Sequence, residues 1–372
     1  MKKYLLIYFI FSVNIFCQEK KEFTQTKLQY NPENYICYKT NEKIIIDGKF
    51  DENSWENADW TNYFVDIEGD LKPKPYYNTK VKMLWDDEYF YFAAKLDEPH
   101  IWANLTERDA VIFYDNDFEI FIDPDGDTHK YYEFEINAFN TPWDLLIVKP
   151  YRDGENVALN GWDIAGLKTA VNIRGTINDP SDEDEYWTVE VAYPWKALSE
   201  MTEMKSPPLE GDQWRVNFSR VEWETEIING KYVKKINPAT GKSFPENNWV
   251  WSPQGIINMH SPETWGFVQF TNSVVGGGNV DFIFSEDEYA KWALRKIYYA
   301  EHDYKLNYGK FTNDFNKLKI KDFQVHESYI WPAKINTSST QFEAILKSKD
   351  EEKVFIIYQD GLVKKQKVTK EN

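Results

Sequence analysis

The sequence predicts a mainly β protein: a two-sheet β-sandwich over residues 41–271, followed by a small α+β unit. Three observations point there. Short runs of period-two alternation recur along the first two thirds of the chain, separated by Asp, Gly, Asn and Pro. Aromatic residues, which strands favour, make up 17% of the sequence. After three consecutive glycines at 276–278 the pattern changes to a helical period. With 372 residues and 42% hydrophobic content, the chain suits two domains with real cores.

The elements follow in order. MKKYLLIYFIFSVNIFC (1–17) has a positive start and an apolar run, the pattern of a signal peptide, so the protein is expected to be secreted or periplasmic. The apolar run is short of the roughly twenty residues of a membrane span. Phe16 stands where a lipoprotein signal needs a small residue, which argues against lipid anchoring at Cys17. Removing this segment leaves Cys37 alone, with no partner for an internal disulfide. Polar residues 18–40 read as a lead-in segment. VKMLW (81–85) and YFYFAAKL (89–96) flank Asp86, Asp87 and Glu88 as a hairpin. WTVEVAYPW (187–195), WRVNFSRVEW (214–223) and GFVQF (266–270) continue the strand pattern. Residues 272–282 form a Gly-rich linker and 283–372 the α+β unit. In that unit Tyr289, Trp292, Ala293, Ile297, Ala300 and Tyr304 make one helical stripe, with QFEAILK (341–347) and KVFIIYQ (353–359) as strands beyond it. The formal charge of −18 excludes nucleic acid and anionic lipid surfaces as partners.

The stretch NDFEIFIDPDGDTHKYYEFEINAFNT (116–141) reads as strand, tight turn, strand. Phe118, Ile120 and Ile122 share a face with Tyr132, Phe134 and Ile136; Glu119, Asp123, Glu133, Glu135 and Asn137 take the other. Like charges opposed across a hairpin destabilise it, so this face needs relief. A cation, a basic partner such as Arg152 or Arg220, or protonation would supply it. Asp123, Asp125 and Asp127, at alternate positions of the turn, offer the oxygens that calcium wants, although the spacing is not that of an EF-hand. Calcium is therefore the expected ion.

As an ordered set, IDGKFDENSWENADW (46–60), KVKMLWDDEYFYFAAKL (80–96), NDFEIFIDPDGD (116–127), YWTVEVAYPWKAL (186–198), WRVNFSRVEW (214–223) and WSPQGIINMHSPETWGFVQF (251–270) resemble the family 9 carbohydrate-binding modules, particularly secreted members from polysaccharide-degrading bacteria. The resemblance covers roughly 41–271. It implies a β-sandwich that holds an oligo- or polysaccharide between aromatic rings, with structural calcium. Glu119 matches the family's ligand-contacting acid and Phe113 one of the clamping aromatics. Where the second aromatic and an Arg are expected, this chain has Met259 and Glu135. The site is expected on the face of Glu119, Glu133 and Glu135, bordered by Phe113, Trp249, Trp251 and His260.

An enzymatic alternative stays open. Elimination from a uronic-acid oligosaccharide, by a dehydratase or lyase, needs a base and a cation to hold developing charge. His129, Tyr131, Tyr132, Arg152, Arg220 and His260 could supply them if they converge. No pair among the five His has zinc-ligand spacing, and no nucleophile elbow or phosphate loop occurs.

Overall fold

The computed structural model describes residues 22–320 and 325–368. The expected signal segment, Cys17 included, lies outside them. Fifteen strands build the first unit. They are β1 (Asn34–Lys39), β2 (Val65–Asp66), β3 (Thr79–Trp85), β4 (Tyr89–Asp97), β5 (Asp117–Asp123), β6 (Tyr131–Asn137), β7 (Pro142–Ile147), β8 (Ala158–Leu159), β9 (Lys168–Arg174), β10 (Tyr186–Pro194), β11 (Gln213–Glu222), β12 (Thr225–Ile228), β13 (Lys231–Lys234), β14 (Asn247–Val250) and β15 (Gly266–Val274). The main hydrogen-bonded path runs β8-β7-β6-β5-β11-β15-β1-β3-β4-β10-β9, with β14 beside β11 and β2 beside β14.

This path folds over on itself into a β-sandwich. The inward rings of β4 and β10 meet those of β11 and β6: Phe92 lies 5.7 Å from Phe218 and Phe134 lies 5.8 Å from Tyr193. The period-two pattern explains which residues do this, because alternate side chains of a strand take opposite faces. Phe118, Ile120, Ile122, Tyr132, Phe134 and Ile136 are fully buried in this core, as the alternation requires.

Two boundaries differ from expectation. Within the segment read as a lead-in, β1 is a central strand that pairs in parallel with both β15 and β3. Its inward residues, Tyr35 and Cys37, join the core. Six residues were too short a run to stand out from their polar surroundings. The glycine segment is also tied down. Gln269 reaches the Asp281 carbonyl and the Ile283 amide, Tyr38 accepts the Val280 amide, and Phe284 packs on Phe267.

The second unit packs one helix, which with Asn53–Asn57 (α1) and Trp195–Leu198 (α2) becomes α3 (Glu286–Tyr308), on the antiparallel strands β16 (Lys334–Thr337), β17 (Phe342–Lys347), β18 (Lys353–Tyr358) and β19 (Val363–Lys367). Acids open the helix and Gly309, at φ 74°, closes it with a left-handed turn. The buried surface of α3 is wider than one apolar stripe: Tyr289 is 41% exposed, while Glu288, Arg295, Tyr298, Tyr299 and Glu301 are buried. The reason is that α3 is covered on two sides, by its own sheet and by the sandwich. Among the described residues no helix is long and apolar enough to cross a membrane.

Buried polar pairs dock α3 over one end of the outer β5–β6–β11 face. Glu288 pairs with Arg215 at 2.7 Å; Tyr299 donates to Glu263, which also holds Arg152; Tyr298 donates to Asp153. Burial alone would raise the Glu263 pKa, but Arg152 and then Arg295 hold it down to about 2. Removing one partner of a buried pair strands the other charge. Glu288→Ala is therefore expected to cost about 3–5 kcal/mol in urea unfolding, in one transition with the sandwich. A change under about 0.5 kcal/mol, the scale of a surface substitution, would show that the pair does not hold the units together.

Candidate functional site

The docked helix leaves the other end of the outer face uncovered by it. Four neighbouring strands, β11, β5, β6 and β7, line that end. Register places Glu119 opposite both Ser219 and Glu135, and Glu135 opposite Trp143. Asp117, one step before Glu119 on the same face, joins them. One carboxylate oxygen from each of Asp117, Glu119 and Glu135 lies within 4.8 Å of the others. All three and Glu133 are at most 5% exposed. The Phe113 amide donates to Glu135 at 3.0 Å.

No Lys or Arg forms an ion pair with these four acids among the described residues. The proposed basic partners are committed elsewhere. Arg152 is held by Glu263. Arg220 lies on the core side of β11, between Glu98 and Glu222 at 2.6 and 2.8 Å. Protonation is the remaining relief. Burial, eased by Ser219 and reinforced by Glu246, raises the Glu119 pKa to about 7. Burial and then Glu119 push Asp117, Glu133 and Glu135 well above the carboxylate range.

Among the described residues, four buried polar atoms of the floor have no hydrogen-bond partner: Asp117 Oδ2, Glu133 Oε2, Trp143 Nε1 and Ser219 Oγ. The Ser219 hydroxyl sits near enough to Glu119 to lower its pKa, yet outside hydrogen-bond geometry. Phe113, Trp143 and Tyr151 border the floor, and Tyr114 packs on Phe113 at 4.8 Å. Tyr114 and Tyr151 are 55% and 46% exposed, and Phe113 and Trp143 are half-buried. Tyr151 meets the His260 ring edge-on at 4.4 Å. His260 Nδ1 lies 2.9 Å from Tyr131 Oη, and its Nε2 is 3.9 Å from Glu133. Burial, then Arg152, lowers the His260 pKa to about 3, so the ring is neutral, and the tautomer sets which of His260 Nδ1 and the Tyr131 hydroxyl donates. Met259 packs in the small apolar cluster beside it, against Phe121, Tyr131 and Trp265.

The other expected site residues fall away from this floor. Trp249 pairs with Arg220 in register and so shares the core face; Trp251 packs on Phe218. Of the six residues named for elimination, only Tyr131 and His260 meet. Tyr132 is on the core face, donating to the Leu198 carbonyl, and His129 turns towards Asp360 of the second unit at 3.7 Å. The turn acids do not converge on one point. Asp123 accepts the Gly126 and Thr128 amides, Asp125 takes the Thr202 hydroxyl and Asp127 the His129 amide. Lys291 of α3 already donates to the Gly126 carbonyl at 3.1 Å. The sequence reading missed Asp117, Trp143 and Tyr151. Extending the alternation by two residues would have found Asp117. Trp143 and Tyr151 needed the third strand's register.

The fold is thus a mainly antiparallel β-sandwich with a polar floor bordered by aromatic residues. Residues 46–211 match the family described as "Carbohydrate family 9 binding domain-like". Among solved structures, a Bacteroides uniformis protein proposed to bind carbohydrate aligns with a TM-score of 0.47 at 18% identity, covering 64% of this chain and all of that one. A family 9 carbohydrate-binding module from Caldicellulosiruptor kristjanssonii aligns in complex with cellotriose at 0.41 and 16% identity, covering 67% of this chain and all of its own. Its glucose complex aligns at 0.41 and 17%, with 66% and 100% covered. No curated protein matches the chain.

Two outcomes follow from the site's charge. Glu119 titrates near 7 when folded against an ordinary 4.5, so its contribution to stability is present below about pH 4.5 and is lost as pH rises through 7. Buried His260 and His302 act in the opposite sense but equally in wild type and variant. Glu119→Gln is thus expected to match the wild-type Tm at pH 4 and exceed it at pH 8, by on the order of a few kcal/mol in stability. A lower Tm at pH 8 would mean that Glu119 is paired in the folded protein. For calcium at the turn, Lys291 is the competitor. Lys291→Met is expected to enlarge any rise in Tm that calcium produces after chelation, and equal responses would remove the turn as its ligand set.

Proposed function

We propose that the protein recognises an oligo- or polysaccharide on the outer face of β5, β6 and β7. The observation that supports this best is the group of four buried polar atoms without partners, bordered by partly exposed aromatics. Leaving a buried donor or acceptor unmade costs about 1–3 kcal/mol, so a ligand that supplies both is strongly favoured. A sugar does so, because each hydroxyl donates to a carboxylate and accepts from an indole N–H. The apolar face of its ring suits Tyr114, Tyr151 and Phe113. The family match over 46–211 supports the same reading. Four acids on the floor favour a neutral ring over a uronate, which would add a further negative charge. The signal-like residues 1–17 suggest work outside the cytoplasm, in polysaccharide degradation.

A second reading, elimination on a uronic-acid oligosaccharide, keeps one observation in its favour: neutral His260 bonded to Tyr131 is built as a base beside a polar floor. It lacks the cation, since Arg152 and Arg220 are both engaged.

Calorimetric titration with glucose, cello-oligosaccharides and oligogalacturonates tests both. Glu119→Gln and Trp143→Phe are each expected to weaken binding about tenfold, equivalent to about 1.4 kcal/mol. Unchanged affinity in both would place recognition elsewhere. His260→Ala is expected to cost only a few-fold in affinity; loss of a wild-type mass change or ultraviolet signal, by about a hundredfold in rate, would favour elimination instead.

A further inference from the structure

A separate cavity of about 280 Å³ opens at the end of the sandwich where β3 begins and β4 and β11 finish. Its floor is the buried ion group Glu98–Arg220–Glu222, and its walls are Tyr76, Tyr77, Trp102 and Trp223. The floor is internally satisfied. Glu98 accepts Arg220 and the His100 amide, and Glu222 accepts Arg220 and Asn116. Arg220 lies over the rings of Tyr77 and Trp249 at 5.5 and 5.3 Å, so the cation that this acidic aromatic corner calls for is already built in. What is left open is different. Trp102 is 96% buried by its 4% exposure, and its indole N–H has no partner. Tyr76 is 55% exposed at the rim and Trp223 half-buried.

We propose that this cavity is a second saccharide subsite holding one sugar ring of a longer chain. The proposal rests on the carbohydrate reading of the first site. The cavity lies near the low end of small-molecule sites, of the order of a single ring rather than a dinucleotide or a lipid. Its aromatic walls suit the C–H face of a pyranose, and the Trp102 N–H needs an acceptor such as a ring or hydroxyl oxygen. A cationic ligand would compete with Arg220 for the same acids, and an anionic one would face Glu98, Glu222 and Glu224. A neutral ring meets neither obstacle.

The two sites share a wall. Trp223 Nε1 donates to the Phe113 carbonyl and the Trp223 backbone N–H donates to Asn116 Oδ1, both at 2.8 Å. Phe113 borders the first site while Trp223 lines the second. Lys234, 3.3 Å above the Trp223 ring, covers one of that indole's faces and fixes it between them. A chain occupying both would give an affinity that grows with length, since a second linked contact is made at high effective concentration.

The test uses the full chain and cello-oligosaccharides of one to six units in calorimetric titration. Tyr76→Ala removes an exposed wall; Glu224→Gln changes the rim charge and its exposed pair with Lys235. In the wild type, affinity is expected to rise at least tenfold between the monosaccharide and the longest oligomer. Tyr76→Ala is expected to abolish that rise and leave monosaccharide affinity unchanged, whereas Glu119→Gln lowers affinity at every length. Retention of the full length dependence by Tyr76→Ala and by Glu224→Gln overturns the subsite and leaves the first site standing. Weakening by Tyr76→Ala with no effect of Glu119→Gln overturns the first site and keeps this one. No binding at any length overturns both.

Discussion

Taking charge out of water is the constraint on which this structure turns. Where the chain buries a carboxylate against a guanidinium, it joins elements. Arg215 with Glu288 fastens the helix of the second unit to the sandwich, Arg152 with Glu263 braces a loop against the segment before β15, and Arg220 with Glu98 and Glu222 closes the sandwich end. Each pair must be complete, because a lone charge in such a place is far costlier than none. Where the chain buries carboxylates with no such partner, at Asp117, Glu119, Glu133 and Glu135, the ordinary means of making the site stable is absent. What remains is protonation and ligand contact. Structural pairing and candidate function are thus the same residue types in two electrostatic settings.

The setting depends on the strand pleat. Along β5, every second residue enters the aromatic core, and the others face outwards among acids. The core is rigid because interlocking rings such as Phe92, Phe118 and Phe218 fill it. That rigidity holds the opposite face in place, so the acids cannot spread apart to lower their repulsion. Their pKa values are raised by burial first and, at Asp117, Glu133 and Glu135, by repulsion from Glu119 second. The second unit adds to this by covering the neighbouring end of the face, where Lys291 and Arg295 supply the positive charge that the DPDGD turn needs.

The departures from the family 9 pattern fit the same picture. By the sequence resemblance, Met259 and Glu135 stand where a clamp is expected to carry an aromatic and an Arg. In their place the structure brings Tyr151 and Trp143 to the floor from the strand and loop beyond β6, and the His260–Tyr131 pair beside them. Under the proposed saccharide reading, recognition would rely on hydrogen-bonding capacity at the floor more than on a two-ring clamp.

The local pattern alone determined much of this protein. Period-two alternation in 116–141 assigned Phe118, Ile120, Ile122, Tyr132, Phe134 and Ile136 to the core and Glu119, Glu133 and Glu135 to one outer face, because the pleat leaves no other choice. It also located the long helix, whose periodicity and terminal glycine are local features. Only the tertiary structure decided the rest. That Asn34–Lys39 is a central strand depends on parallel partners more than forty residues away. That Trp249 and Trp251 face the core follows from pairing with β11, since a single residue of register reverses a strand's faces. Which acids keep a cation was also invisible in sequence: Arg152 and Arg220 lie within reach of several carboxylates along the chain, and it is the three-dimensional path that pairs them with Glu263, Glu98 and Glu222 and leaves Glu119 and its neighbours without one.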